Sequence, residues 1–465
     1  MSDTHTINTN AVRKDGVFDT IAAISTGQVL CAIGIVRVSG PDALTVLDRV
    51  FTPLWGGPMS RREDRKLVMG KLSSPDGGVL DVCLATVSRG PNSYTGEDTA
   101  ELQCHGSPVV LRAALDSLFA AGARQARAGE VTRRAFLNCR MDLTQAEAVI
   151  DLIDAETPQI AQNAAAQLDG AIRRKTDGIY DDLTAICSHY HAVIDYPDED
   201  IEPFQLAEYA ATLQGAEDRL ARLLATFQRG SVMKNGVPCA ILGRPNAGKS
   251  SLLNAILGYD RAIVTDIPGT TRDTIEEKAV LGGVLLRLSD TAGLRDTDDP
   301  VEREGVVRAR TAAEGASLVL AVLDGSAPLT AEDEAVMAAA KAAPKHIIIQ
   351  NKSDLPPAWT MDGAASVSAL TGAGLDALEQ AVAALFAEGE TIPAGETLTN
   401  PRQADAVGRA LDYVRAAKDA MAYGITPDAV LTEVEGALAA LGELSGRTVR
   451  EDITNGIFAR FCVGK

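Results

Sequence analysis

No apolar run in these 465 residues approaches the ~20 that a membrane-spanning helix requires, so no membrane segment is expected. The opening stretch, MSDTHTINTNAVRKDG, carries no apolar h-region and does not read as a secretory signal, which makes the cytoplasm the expected location. No C-x-x-C pair occurs among the seven cysteines, at positions 31, 83, 104, 139, 187, 239 and 462. That argues against a disulfide framework and against a Cys-based zinc site. His189 and His191 are two residues apart, a spacing that sends them to different faces of a helix and does not favour a shared metal. Positive charge is also short: 44 Lys and Arg against 63 Asp and Glu give a formal charge of −19. A sequence-blind DNA or RNA binder neutralises phosphates and is normally basic. Any RNA partner must therefore be met by a local patch or through a second, more basic protein. No internal repeat is evident.

What is present is enough chain for two or three domains, with the 46% hydrophobic fraction of a globular protein. Residues 1–17 read as a disordered extension. Across 18–140, short apolar runs such as AIGIVRVSGP and TAELQCHGSP alternate with Gly/Pro turns, and PVVLRAALDSLFAAG reads as a helix ending at Gly122. This is a mixed α+β domain. Helical periodicity takes over at 141–234, broken at DYPDEDIEP by Pro197 and Pro203. Strands and helices alternate over 235–388, which implies parallel strands with crossover helices. Beyond the EGETIPAGETL linker, 389–465 is helical again. The expected fold class is α/β and all-α multidomain, with an α/β domain inserted into a helical domain of two segments.

The stretch GRPNAGKSS fits G-x-x-x-x-G-K-[ST] through Gly243, Gly248, Lys249 and Ser250, between the apolar run CAILG and the helical run SSLLNAIL. Its backbone N–H groups can close on phosphates at the positive end of a helix, with Lys249 charging the β- and γ-phosphates and Ser250 ligating Mg²⁺. Asn351 and Asp354 of NKSD follow a strand. A carboxylate there accepts from guanine N1–H and N2–H₂, a donor pair that adenine lacks. Ser368, Ala369 and Leu370 can offer a backbone N–H to guanine O6. In DTAG, Asp290 is placed for Mg²⁺ through water and Gly293 for the γ-phosphate, and Thr270 and Thr271 of DIPGTTRD suit switch-I ligands. Together these define a GTPase domain. Leu294 follows DTAG where Ras carries a Gln that orients water, so a polar group must come from elsewhere; VEREG offers Glu302 among several carboxylates. Cys462, three residues from the last residue, is readable as a small hydrophobe, a lipidation site that Lys465 does not suit, or a tail threaded into a site.

The whole set resembles the MnmE (TrmE) family of tRNA-modification GTPases, through GRPNAGKSSLLNA, AIVTDIPGTTRD, DTAGLR, VEREG, GPNSYTGEDTAEL, RAFLN, MDLTQAEAV, DYPDEDI and FCVGK. The resemblance implies a homodimer activated by K⁺ and by juxtaposed G domains. Asn246, Thr265, Ile267 and Thr270 would ligate K⁺, Ser250 and Thr271 would ligate Mg²⁺, and Glu302 would be catalytic. The GTP site would comprise Asn246, Ala247, Gly248, Lys249, Ser250 and Ser251; Thr265, Asp266, Ile267, Pro268, Gly269, Thr270 and Thr271; Asp290, Thr291, Ala292 and Gly293; Asn351, Lys352 and Asp354; and Ser368, Ala369 and Leu370. The 18–140 segment would bind tetrahydrofolate and dimerise, with Arg37, Glu101, Arg140 (often Lys in the family) and Lys465 at the folate site. At 27–31 the sequence GQVLC replaces a Pro/Gly-rich turn usual in the family. The C-terminal helix would carry Cys462 to that site. The implied reaction, with an FAD-dependent MnmG/GidA-type partner in a heterotetramer, adds an aminomethyl or carboxymethylaminomethyl group at C5 of the wobble uridine of certain tRNAs. Its one-carbon unit comes from 5,10-methylene-tetrahydrofolate. Two other readings fit parts of the sequence: an RNA- or ribosome-assembly switch, and a folate aminomethyltransferase with a regulatory G domain.

Overall fold

The computed structural model describes residues 19–27, 29–195, 205–259, 277–288, 315–386, 393–448 and 451–464. The expected extension, most of the DYPDEDI stretch, Gln28, Thr265–Thr271, Asp290–Gly293, Glu302 and Lys465 lie outside these residues. The chain divides into two compact units, Met1–Ile150 with Gly442–Lys465, and Asp151–Leu441.

The first unit is built on strands β1 (Ile21–Ile24), β2 (Ile33–Ser39), β3 (Phe51–Pro53), β4 (Val68–Ser73), β5 (Val79–Ser88), β6 (Thr99–His105) and β7 (Arg124–Gln125). They form one sheet in the order β3-β4-β5-β6-β2-β1-β7, antiparallel except where β1 meets β7. Side chains alternate across it. Val36 and Val38 of β2 and Ala100, Leu102 and Cys104 of β6 are buried in a core with helices α1 (Ala43–Val50) and α2 (Pro108–Ala120). Helix α1 buries Ala43, Val46, Leu47 and Val50, a stripe at helical spacing. Gly34 lies so close to Leu111 of α2 that a Cβ would stand 2.4 Å from its Cδ1. Arg37 and Glu101, at odd positions, are thereby left on the other face of the sheet. Helices α3 (Glu130–Leu137) and α4 (Leu143–Ile153) follow, and Ile457 and Phe458 of the final helix, Glu451–Phe458, with Phe461 just beyond it, pack with Ala135, Met141 and Leu143.

The second unit contains helices α5 (Pro158–Leu168), α6 (Ala171–Asp195), α7 (Leu206–Ala225) and α8 (Phe227–Asn235). Next come β8 (Val237–Leu242), α9 (Lys249–Tyr259), β9 (Glu277–Leu281), β10 (Val284–Leu288), β11 (Leu318–Asp324), α10 (Ala331–Lys341), β12 (Lys345–Asn351), β13 (Ala365–Ser366) and α11 (Leu375–Phe386). Helices α12 (Pro401–Ala422) and α13 (Pro427–Ser445) complete it, α13 running on across the boundary. The six-stranded sheet has the order β13-β12-β11-β8-β10-β9 and is parallel but for β9. Its central strand, LVLAVLD, is buried on both faces, which is why it is almost wholly apolar. Leu318, Leu320 and Val322 pack with Leu252 and Ile256 of α9 and Leu378 and Val382 of α11. Val319 and Ala321 face the other way, onto Ala340 of α10. The β9–β10 hairpin departs from the parallel expectation: Gly282 (φ +61°) and Gly283 (φ +76°) make a two-residue turn that leaves no chain for a crossover.

Polar contacts hold the segments that enter and leave this sheet. Asn163 Nδ2 and Gln167 Nε2 donate to Thr397 O at 3.2 and 2.7 Å, and Gly395 N donates to Asn163 Oδ1 at 2.9 Å. Lys234 and Thr399 both donate to the carboxylate of Asp151, at 2.6 and 2.9 Å. These side chains are buried or half-buried, so their hydrogen bonds fix one arrangement of the two connections.

Candidate functional site

The turn between β8 and α9 is shaped by positions that only certain residues tolerate. Asn246 has φ +59° and Gly248 φ +96°, both left-handed. A Cβ on Gly248 would lie 2.1 Å from Asn351 Nδ2, and one on Gly243 would lie 2.4 Å from Val322 O. Glycine is therefore required at both positions, and the backbone can close as a phosphate cradle would. Lys249 Nζ donates to Gly243 O and Arg244 O at 2.8 and 2.9 Å, and burial pulls its pKa below the usual lysine range. Arg244 also meets the buried Asp333 at 3.3 Å. Asp333 caps α10 as well, accepting from Thr330 N and Oγ1 at 3.0 and 2.8 Å, and so ties the turn to that helix.

Asn351, at the end of β12, is almost completely buried and makes two bonds of opposite sense. Its Nδ2 donates to Ala247 O at 2.9 Å, while its Oδ1 accepts from Ala369 N at 3.1 Å. One side chain thus joins the turn after β8 to the loop after β13, 104 and 18 residues away. Asp354 is exposed, and its Oδ1 accepts from Ser368 Oγ at 2.6 Å; that hydroxyl in turn accepts from Thr371 N at 3.2 Å. Ser368 is buried and Leu370 exposed. Lys352, at φ +63°, pairs with Asp324 at 2.7 Å. Asn246 to Ser251, Asn351, Lys352, Asp354 and Ser368 to Leu370 are thereby gathered at the C-terminal ends of parallel strands, where an α/β sheet takes its ligand. Among the described residues, the Mg²⁺ and K⁺ candidates are Ser250, in the first turn of α9, and the exposed Asn246.

In the first unit, Arg37 and Glu101 are register partners across β2 and β6. Arg37 Nε and Nη2 lie 2.9 and 2.8 Å from Glu101 Oε1, and the guanidinium stands 5.4 Å from the Tyr94 ring centroid. The stem of Arg140 borders the same loop, its Cγ and Cδ 3.4 Å from where a Cβ on Gly96 would be. Behind it lies a charge network that the sequence reading missed. Arg134, 2% exposed, pairs with Asp19 at 2.8 Å, Glu97 at 3.0 Å and Glu130 at 3.1 Å. Burial opposes the ionisation of Glu130, but bonds from Arg124, Arg127 N and Arg134 outweigh it and bring its pKa to about 2. Such pairs fix position more than they add stability. The GQVLC stretch is anchored through Cys31 N, which donates to Gly106 O at 3.2 Å, while Val29 and Leu30 remain exposed.

The C-terminal tail lies along this unit. Val463 forms an antiparallel bridge with Ala128, Gly129 N donates to Cys462 O at 3.4 Å, and Ser25 Oγ donates to Gly464 O at 3.1 Å. Gly464 has φ +103°, and a Cβ there would meet Ile24 O at 2.1 Å. The close approach requires glycine. Cys462 is exposed, two residues before the glycine that meets Ile24 at the end of β1, whose Ala23 is the register partner of Arg37. Cys83, Cys104 and Cys239 are buried and serve packing.

A phosphate-type turn with its lysine after β8, and an Asn/Asp pair at the end of β12 in the same sheet, define a P-loop GTPase domain. The rest of the chain carries the family. Residues 143–462 match the MnmE helical domain and residues 20–140 match the GTP-binding protein TrmE N-terminus. The tRNA modification GTPase MnmE of Symbiobacterium thermophilum is 44% identical over 456 residues, spanning 96% of this chain and 99% of its own. That of Chloroflexus aurantiacus is 44% identical over 458 residues, 96% of this chain and 100% of its own. A solved structure of Era from Aquifex aeolicus bound to GDP·AlF4− aligns at 26% identity over 40% of this chain and 66% of its own, with a TM-score of only 0.25. The chain belongs to the MnmE family of tRNA modification GTPases. Among the described residues, no helix is long and apolar enough to cross a membrane.

Proposed function

We propose that this chain is a K⁺-activated GTPase whose cycle drives modification of the tRNA wobble uridine at C5, together with an FAD-dependent MnmG/GidA-type partner. The observation that carries this reading is the docking of the Cys462 tail on the unit that holds Arg37 and Glu101, in a chain that also holds a GTP site. An assembly switch has no use for that arrangement. Lys249 meets the β- and γ-phosphates, Ser250 with Thr271 holds Mg²⁺, and Asp354 reads guanine. Asn246, together with Thr265, Ile267 and Thr270, would hold K⁺, whose charge would supply what an arginine finger supplies. The left-handed turn at Asn246 supports this role, because it leaves the side chain exposed beside the phosphate cradle.

Arg37, Glu101 and Arg140 suit an anionic cofactor with a polar ring: two guanidiniums and a carboxylate beside an aromatic face. Methylene-tetrahydrofolate supplies the one-carbon unit when bound there. The protein's part is to orient that cofactor, with Lys465 adding charge, and to present the exposed Cys462 thiol. The chain acts as a homodimer through its first unit, and the partner carries much of the tRNA contact, in keeping with the −19 charge.

Two results are expected. Cys462→Ser should leave GTP hydrolysis intact and abolish the C5 modification, read by nucleoside analysis of tRNA; normal modification would return Cys462 to packing. Replacing KCl by NaCl should slow hydrolysis on the order of 10²-fold. Equal rates in the two salts would remove Asn246 from an ion site.

A further inference from the structure

The two histidines of CSHYH do part, as their spacing requires. His189 Nδ1 meets the Tyr209 hydroxyl, while His191 turns to α13, where its Nε2 lies 2.9 Å from Glu435 Oε1. One helical turn before His191, on the same face of α6, stands Cys187. One donor atom from each of Cys187, His191 and Glu435 lies within 4.8 Å of the others. Asp195, one turn further on, places Oδ2 3.9 Å from His191 Nδ1. Cys187 is half-buried and the other three are exposed, so the cluster is open to an ion from solvent.

We propose that Cys187 Sγ, His191 Nε2 and the Glu435 carboxylate form a binding site for a divalent transition metal of the zinc class. Sulfur, imidazole nitrogen and carboxylate oxygen are the donor set of Zn²⁺, and bonds of about 2.0–2.3 Å set ligands about 3.4–3.8 Å apart around a tetrahedral ion. The donor atoms lie within 4.8 Å of one another, so side-chain rotations that move them by about an ångström reach that geometry. Binding releases the Cys187 proton to solvent and displaces the proton that Nε2 shares with Glu435, so that the imidazole carries its one proton on Nδ1, facing Asp195, the usual outer partner of a metal-bound histidine. Water takes the fourth position. Glu435 lies 244 residues from His191, so the ion staples α13 to α6 across the whole inserted segment. The other Cys cluster, Asp81 with Cys83 and Cys104, offers less: Asp81 already accepts from His105 N at 2.9 Å and pairs with His105 Nδ1 at 2.7 Å, and both sulfurs are buried.

The test is a titration of the full chain, stripped with EDTA, with Co²⁺. One equivalent should produce a thiolate-to-cobalt band in the near ultraviolet and tetrahedral bands in the visible, displaced by Zn²⁺. Cys187→Ser should remove the near-ultraviolet band, His191→Ala and Glu435→Gln should weaken binding, and Asp195→Asn should weaken it roughly 10–100-fold. Cys462→Ser should keep the band. Absence of the band in the wild-type chain, its survival in Cys187→Ser, or its loss in Cys462→Ser would each overturn the site. Circular dichroism of each variant separates loss of ligand from loss of fold.

Discussion

Asp354→Asn should exchange the nucleotide this chain accepts, lowering GTP affinity on the order of 10⁴-fold while admitting xanthosine triphosphate. The direction follows from the local hydrogen bonds. Thr371 N donates to Ser368 Oγ, which leaves that hydroxyl to donate to Asp354 Oδ1 at 2.6 Å. An asparagine in the same place keeps its oxygen toward Ser368 and turns its NH₂ to the base. That amide opposes the N2–H₂ of guanine, donor against donor, but meets the C2 carbonyl of xanthine. Unpaired groups in such a contact cost far more than a weakened bond. Competition binding with GTP and XTP checks it, and unchanged GTP affinity would remove Asp354 from base recognition.

Glu302→Ala is expected to slow hydrolysis on the order of 10²–10⁴-fold and to leave nucleotide affinity unchanged. Leu294 cannot hydrogen-bond a water, so the polar group that orients it must come from another residue. Single-turnover hydrolysis beside equilibrium binding of a labelled nucleotide separates the two steps. Near-normal turnover would take Glu302 out of the mechanism.

The GTP site was legible because its residue types are forced locally. Gly243 and Gly248 fill positions where a Cβ would strike Val322 O or Asn351 Nδ2, and a steric demand of that kind leaves the same letters wherever the turn occurs. LVLAVLD was legible for a similar reason, since a strand buried on both faces has no polar positions to show. The Gly282–Gly283 hairpin carried a signal too, two glycines between apolar runs, but the β/α alternation around it suggested parallel strands.

What could not be read was pairing over distance. Nothing in NKSD announces that Asn351 would clamp Ala247 to Ala369, or that Arg134 would be buried among Asp19, Glu97 and Glu130; charges in a sequence look solvated until the fold surrounds them. The tail was similar. Gly464 marks a close approach, but only the structure gives its target, Ile24 O. Cys187 and His191 had the spacing of two ligands on one helix face, and the third arrives from α13.

The central claim is that one chain couples a GTP cycle to a one-carbon modification of tRNA. Its most direct test is nucleoside analysis of tRNA from a strain lacking this chain. The C5-substituted wobble uridine should disappear, return with the wild-type chain, and stay absent with either Glu302→Ala or Cys462→Ser. Wobble uridines unchanged by the deletion would contradict the claim.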